Sequence, residues 1–119
     1  MRAKDAVGQY GERVAAQRLA EAGMDVLVRN WRCRHGEIDI LARDGDCLVV
    51  CEVKTRRSTS AGTPAEAVTP DKVRRLGELA QEWLKTRPDV QPAAIRFDVV
   101  AVTPAPRGAA HVEHLRGVL

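Results

Sequence analysis

The chain has 119 residues, 45% of them hydrophobic, with 19 Lys and Arg against 16 Asp and Glu for a net charge of +3; this suits one domain, 1–119, built around one core. No apolar run approaches the roughly 18–20 residues that a membrane-spanning helix needs, and the charged start Met1-Arg2-Ala3-Lys4-Asp5 lacks a signal-peptide apolar stretch, so a cytoplasmic location is expected. Cys33, Cys47 and Cys51 are odd in number and have no CxxC spacing, which argues against a disulfide framework or a structural zinc and for small core hydrophobes.

Residues 5–23 read as a helix: Val7, Gly11, Val14, Ala15, Leu19 and Ala22 recur at helical spacing, and Gly23 terminates the pattern. Glu12 falls almost beneath Leu19 on this wheel, near the buried stripe, and Gly8 and Gly11 would let that face approach a sheet closely. Strands are expected over 26–33, 37–42 and 47–54, with a hairpin turn at Arg43-Asp44-Gly45-Asp46. The third strand is apolar on both parities through Val49 and Val50, as a central strand covered on both faces would be. A polar loop is expected over 56–62. Thr69 and Pro70 then cap and open a second helix with a stripe of Val73, Leu76, Ala80, Trp83 and Leu84, ended by Pro88. Residues 94–102 read as a fourth strand and 110–115 as a fifth, at an edge. A helix between the third and fourth strands suits a right-handed parallel crossover. The expected fold is an α/β sandwich with a mixed central sheet of about five strands flanked by helices.

Ionisable groups interrupt two of these apolar strands. Asp39 lies between Ile38 and Ile40, and Glu52 lies between Cys51 and Val53, with Lys54 next on the same face. Burying an unpartnered charge costs several kcal/mol, and a divalent cation is the economical offset. The hairpin allows two registers. With Asp44-Gly45 as turn residues Asp39 faces Val50 and lies diagonal to Glu52; one residue further, it faces Glu52 directly. Either places the two Cβ atoms roughly 5–8 Å apart.

Phosphodiester hydrolysis needs an activated water, neutralised phosphate charge and a stabilised leaving oxygen, which a hard cation held by carboxylate oxygens supplies. Asp39 and Glu52 are the candidate ligands, the Val53 carbonyl a further one, and Lys54 a candidate to position water or stabilise negative charge. Basic residues bracket the acids: Arg29, Arg32 and Arg34 before, Lys54, Arg56 and Arg57 after, and Lys72, Arg74 and Arg75 on the second helix. Arg34, Thr55, Arg56 and Arg57 are candidate phosphate contacts, whereas Lys72 to Arg75 alone read as ordinary solvated surface. Glu37 is expected at the rim or paired with Lys54, His35 in a turn, Asp98 in an ion pair with Arg96 or another arginine, and Trp31 and Trp83 in the core. Aromatic residues are 3% of the chain, a poor fit to a single-strand reader built on stacked bases.

Glu12 on a helix, Asp39 on a hairpin and Glu52-Val53-Lys54 on a central strand together resemble the PD-(D/E)XK superfamily, with its restriction-endonuclease-like three-layer sandwich. Tyr10-Gly11-Glu12, Arg34-His35-Gly36-Glu37-Ile38-Asp39, Glu52-Val53-Lys54-Thr55-Arg56 and Arg96-Phe97-Asp98-Val99-Val100 more closely resemble the YraN-like uncharacterised protein family, over nearly the whole chain. That family is described as similar to archaeal Holliday-junction resolvases. The resemblance implies a Mg²⁺-dependent endonuclease, with Mn²⁺ as a substitute, acting on branched or structured DNA. It implies Asp39 and Glu52 as metal ligands, Lys54 as the catalytic lysine, and Glu12 completing the site directly or through water. The superfamily's proline before the aspartate is Ile38 here. A domain of this size would cut two strands symmetrically only beside a second copy, so a homodimer is expected. Two other functions compete: a non-catalytic nucleic-acid-binding or adaptor module on the same fold, and a metal-free ion-pair network of Asp39, Glu52 and Lys54.

Overall fold

A computed structural model of the chain describes residues 6–56 and 68–118. Helix α1 spans Ala6–Glu21 and is followed by strands β1 (Asp25–Cys33), β2 (Gly36–Asp44) and β3 (Cys47–Thr55). Helix α2 (Pro70–Lys85) leads to β4 (Ala94–Thr103) and β5 (His111–Leu115). The sheet order is β1-β2-β3-β4-β5, antiparallel throughout except for the parallel pair β3–β4. β3 is therefore central, as its two-sided apolar run predicts, and α2 is the crossover between the parallel strands.

The two helices cover opposite faces. Ala15 and Leu19 of α1 pack with Ile40, Ala42, Val49, Cys51, Val100 and Val102 on one side. Leu79, Ala80 and Trp83 of α2 pack with Ile38, Leu41, Leu48 and Val50 on the other, with Trp31 partly buried beside them. This is the three-layer sandwich, in a layout compatible with the restriction-endonuclease-like arrangement. Helix α2 begins as its sequence dictates: the Thr69 side chain accepts the Lys72 N–H at 3.1 Å, and Pro70 occupies the first helical position, where its missing N–H is of no consequence. Its buried face is centred on Leu79, Ala80 and Trp83; Leu79 belongs to it in addition to the expected stripe. Cys51 is buried and Cys33 and Cys47 are half-buried, all three as free thiols.

The alternation of β2 is irregular around Asp39. Ile38 and Leu41 lie on the α2 face although three residues apart, while Ile40 and Ala42 lie on the α1 face. The strict alternation of a strand thus breaks at Asp39. Across from it, between the pairs Arg29–Ile40 and Trp31–Ile38, β1 carries Asn30 at φ 54°, the one non-glycine residue with positive φ among those described. Both strands turn over at this level, so the parity that groups Glu37 with Asp39 in the sequence does not survive in the fold.

Candidate active site

The β2–β3 register runs from Asp44–Cys47 to Ile40–Cys51. Gly45-Asp46 are therefore the turn residues, and one further step sets Asp39 opposite Glu52, the second of the two registers allowed by the sequence. At that step the backbone ladder ends. The Val53 N–H instead donates to Asp39 Oδ2 at 2.9 Å. This bond fixes the aspartate against the strand that carries the glutamate. Glu52 lies close enough to be affected by it: burial pushes the Glu52 carboxyl above its ordinary range, Asp39 beside it pushes further, and Lys72 pulls the other way. The Glu52 side chain is 15% exposed, and the Lys72 Nζ meets its Oε2 at 2.5 Å.

These groups lie in a cleft of about 1010 Å³ between the N-terminal ends of α1 and α2 and the outer end of β3. Glu12, Asp39, Glu52, Val53, Lys54 and Thr55 all line it. Glu12 is buried on the α1 wall. Gly11 beside it packs so closely on β3 that an added Cβ would overlap Thr55 Oγ1 and lie 2.9 Å from Thr55 Cβ; this is the close approach that the glycine was expected to permit. The three carboxylates share the cleft without closing on one point: among the described residues no three His, Cys, Asp or Glu side chains form a metal-binding group. Lys54 forms no ion pair with any described residue.

The other candidates divide. His35 and Glu37 line the cleft at the tip of the β1–β2 hairpin. Glu37 pairs with Arg32 across the strands at 3.1 Å, not with Lys54. Arg34 is exposed at the same tip and lies outside the cleft wall, its Nε 3.4 Å from His35 Nε2. Arg56 continues the β3–β4 pairing through its N–H to the Val102 carbonyl at 2.9 Å. Arg57 lies outside the described residues. Asp98 is on the opposite side of the sheet from the α2 wall, in the ion pair expected for it. Arg96 reaches it with Nε at 3.0 Å and a second nitrogen at 3.1 Å, while His114 lies at 2.8 Å and the Gly117 N–H at 3.0 Å. Burial opposes ionisation of Asp98, but these partners outweigh it and hold its carboxyl below the ordinary range. Cys51 is no nucleophile: burial, then the Asp98, Asp39 and Glu52 charges, push its thiol far up.

The structure adds residues from α2. Lys72 and Arg75 line the same cleft as Lys54 and Thr55, although in the sequence they look like solvated helix surface. A signal was present in Lys72 itself, since a cation in the first turn of a helix opposes the helix dipole and calls for a compensating partner.

Asp39 and Glu52 offer hard oxygen donors. Mg²⁺ is commonly held by one or two carboxylates, substrate phosphate and retained water, without an all-protein cage. A two-carboxylate floor with open space above it fits that requirement.

Residues 11–102 match the family described as Uncharacterised protein family UPF0102. Among curated proteins, the chain is 70% identical to a UPF0102 protein of Kineococcus radiotolerans, over 99% of this chain and 97% of the relative. It is 58% identical to UPF0102 protein SCO5602 of Streptomyces coelicolor, over 99% and 92%, and 54% identical to UPF0102 protein FRAAL5785 of Frankia alni, over 98% and 97%. With a match across most of its length and relatives of nearly equal size, the chain belongs to the UPF0102 family, the YraN-like family that its motifs resemble.

Proposed function

We propose that the protein is a Mg²⁺-dependent endonuclease that hydrolyses phosphodiester bonds in branched or otherwise structured DNA, Mn²⁺ serving in place of Mg²⁺. One observation carries this reading: two carboxylates from adjacent strands meet on the floor of an open cleft whose walls carry lysine and arginine. A surface that merely bound DNA would gain nothing from acids placed where phosphate arrives.

Asp39 and Glu52 would hold the cation, with the Val53 carbonyl leaving the strand on the same edge as the N–H that meets Asp39. Bound there, the ion supplies Lewis acidity toward phosphate and a more acidic water. The protein's own groups do the rest. The Val53 N–H fixes the orientation of Asp39. Lys54 lines the cleft, where its ammonium would orient the attacking water and stabilise negative charge growing on the phosphoryl oxygens. Glu12, buried on the α1 wall, would complete the site directly or through water. Thr55 and Arg56 extend the polar path for the DNA backbone, and Arg34 and Arg57 are further candidate phosphate contacts. Two copies acting together would cut paired strands.

The test is incubation of the pure chain with Mg²⁺ or Mn²⁺ and labelled junction, flap and linear DNA. Metal-dependent cleavage is expected, falling at least about 100-fold in Asp39→Ala, Glu52→Gln and Lys54→Ala. Cleavage unchanged in those variants refutes the assignment. Tight DNA binding without turnover by the parent chain favours the adaptor reading.

A further inference from the structure

We propose that Lys72 is an exchangeable counterion: it neutralises Glu52 in the resting protein, gives way to the divalent cation, and then joins Arg75 in holding the phosphodiester backbone. This rests on the metal site proposed above.

Charge balance is the first ground. Asp39 and Glu52 together carry two negative charges when ionised, and the ammonium of Lys72 supplies one positive charge. A divalent ion matches the pair more closely, so exchange is favourable once the ion is present. The second ground is the way Lys72 is mounted. Its backbone N–H is held by the Thr69 side chain at the start of α2, so the helix stays anchored there if the ammonium, at the end of a flexible four-carbon stem, leaves Glu52. The side chain is 34% exposed, which leaves it room to turn outward.

The third ground is what surrounds it. Arg74 is committed on the solvent side, to Asp71 at 2.6 Å and Glu78 at 3.1 Å. Arg75 is exposed, lines the cleft, and makes no ion pair with any described residue. A displaced Lys72 would therefore stand beside a cation that already lines the cleft with Lys54. Two cations from α2 and one from β3 would together hold a polyanion in the cleft.

The experiment measures Mn²⁺ affinity by calorimetry for the parent chain, Lys72→Met and Lys72→Arg, with circular dichroism confirming the fold of each. Removing the competing ammonium is expected to tighten Mn²⁺ binding about tenfold in Lys72→Met, between the effects of exposed and buried ion pairs, while Lys72→Arg stays near the parent. DNA binding in Ca²⁺, read by fluorescence anisotropy across a salt series, is expected to weaken in Lys72→Met with the salt slope reduced by about 1. Unchanged or weaker Mn²⁺ binding in Lys72→Met overturns the counterion role while leaving the metal site standing. Absence of Mn²⁺ binding by all three chains overturns both. Tighter Mn²⁺ binding with an unchanged salt slope overturns the transfer to phosphate.

Discussion

Replacing Gly11 with alanine separates local preference from tertiary constraint. In a free helix the change stabilises by about 1 kcal/mol. Here the new Cβ would overlap Thr55 Oγ1 and sit 2.9 Å from Thr55 Cβ and 3.0 Å from Cγ2. Rotating Thr55 about χ1 moves Oγ1 and Cγ2 but leaves its Cβ in place, so α1 itself must draw back from β3. Overpacking of this kind costs about 1–3 kcal/mol. The upper end applies because the same helix face carries Ala15 and Leu19, both fully buried against the sheet. The net expectation is a loss of about 2 kcal/mol, or a fall in Tm of about 8 °C for a domain of this size. Thermal and urea unfolding measure it. Thr55→Ala removes two of the three clashing atoms, so the double variant should recover at least about 1 kcal/mol relative to additivity. A Tm that rises in Gly11→Ala would refute the close approach of α1 to β3.

Glu52→Gln removes a buried carboxylate held next to another, so it should stabilise by about 1 kcal/mol at neutral pH. Because the folded-state Glu52 carboxyl titrates above its unfolded value, the native protein loses stability as pH rises through that interval, and the variant's advantage should fade below about pH 4; Tm against pH for both chains checks this, and an advantage independent of pH contradicts it. Asp98 has the opposite sign. Its carboxyl is held down in the folded state, so its contribution is present above the unfolded value near pH 4 and is lost on acidification through the lower folded value. Asp98→Ala should cost about 3 kcal/mol, since Arg96 and His114 lose their shared partner. Hydrogen exchange should also show lost protection at Gly117 and at Val118, whose N–H bonds the Phe97 carbonyl at 2.8 Å. Protection retained at Val118 would show that the C-terminal segment is held independently of Asp98.

Much of this fold was legible because apolar spacing is a local property. The run through Val49 and Val50 marks the central strand, and Thr69-Pro70 marks the start of α2, from a few adjacent residues each. The pairing of Asp98 with Arg96 followed from the cost of a charge in an apolar run. The register at Asp39 was not legible, since Asp44-Gly45 and Gly45-Asp46 are both acceptable turn pairs and the choice is made by strand packing. The break in alternation at Asp39 was hidden for a related reason: it depends on Asn30, nine residues away, adopting a left-handed backbone. Lys72 and Arg75 were missed because their sequence neighbours describe an amphipathic helix with a polar face. Only the docking of α2 over the end of β3 turns part of that face inward.

The bond from Val53 N–H to Asp39 also has a mechanical consequence. From Asp44–Cys47 to Ile40–Cys51 the second and third strands are stitched by repeated backbone bonds; beyond that, side-chain links of Asp39, to the Val53 N–H and to Glu52, join them. The outer hairpin is steadied by packing, with Gly36 close against Leu79, and not by further stitching. The sheet thus forks at the acidic floor. A ligand pressing between the prongs would strain these side-chain links, while the stitched portion beneath would keep the floor level.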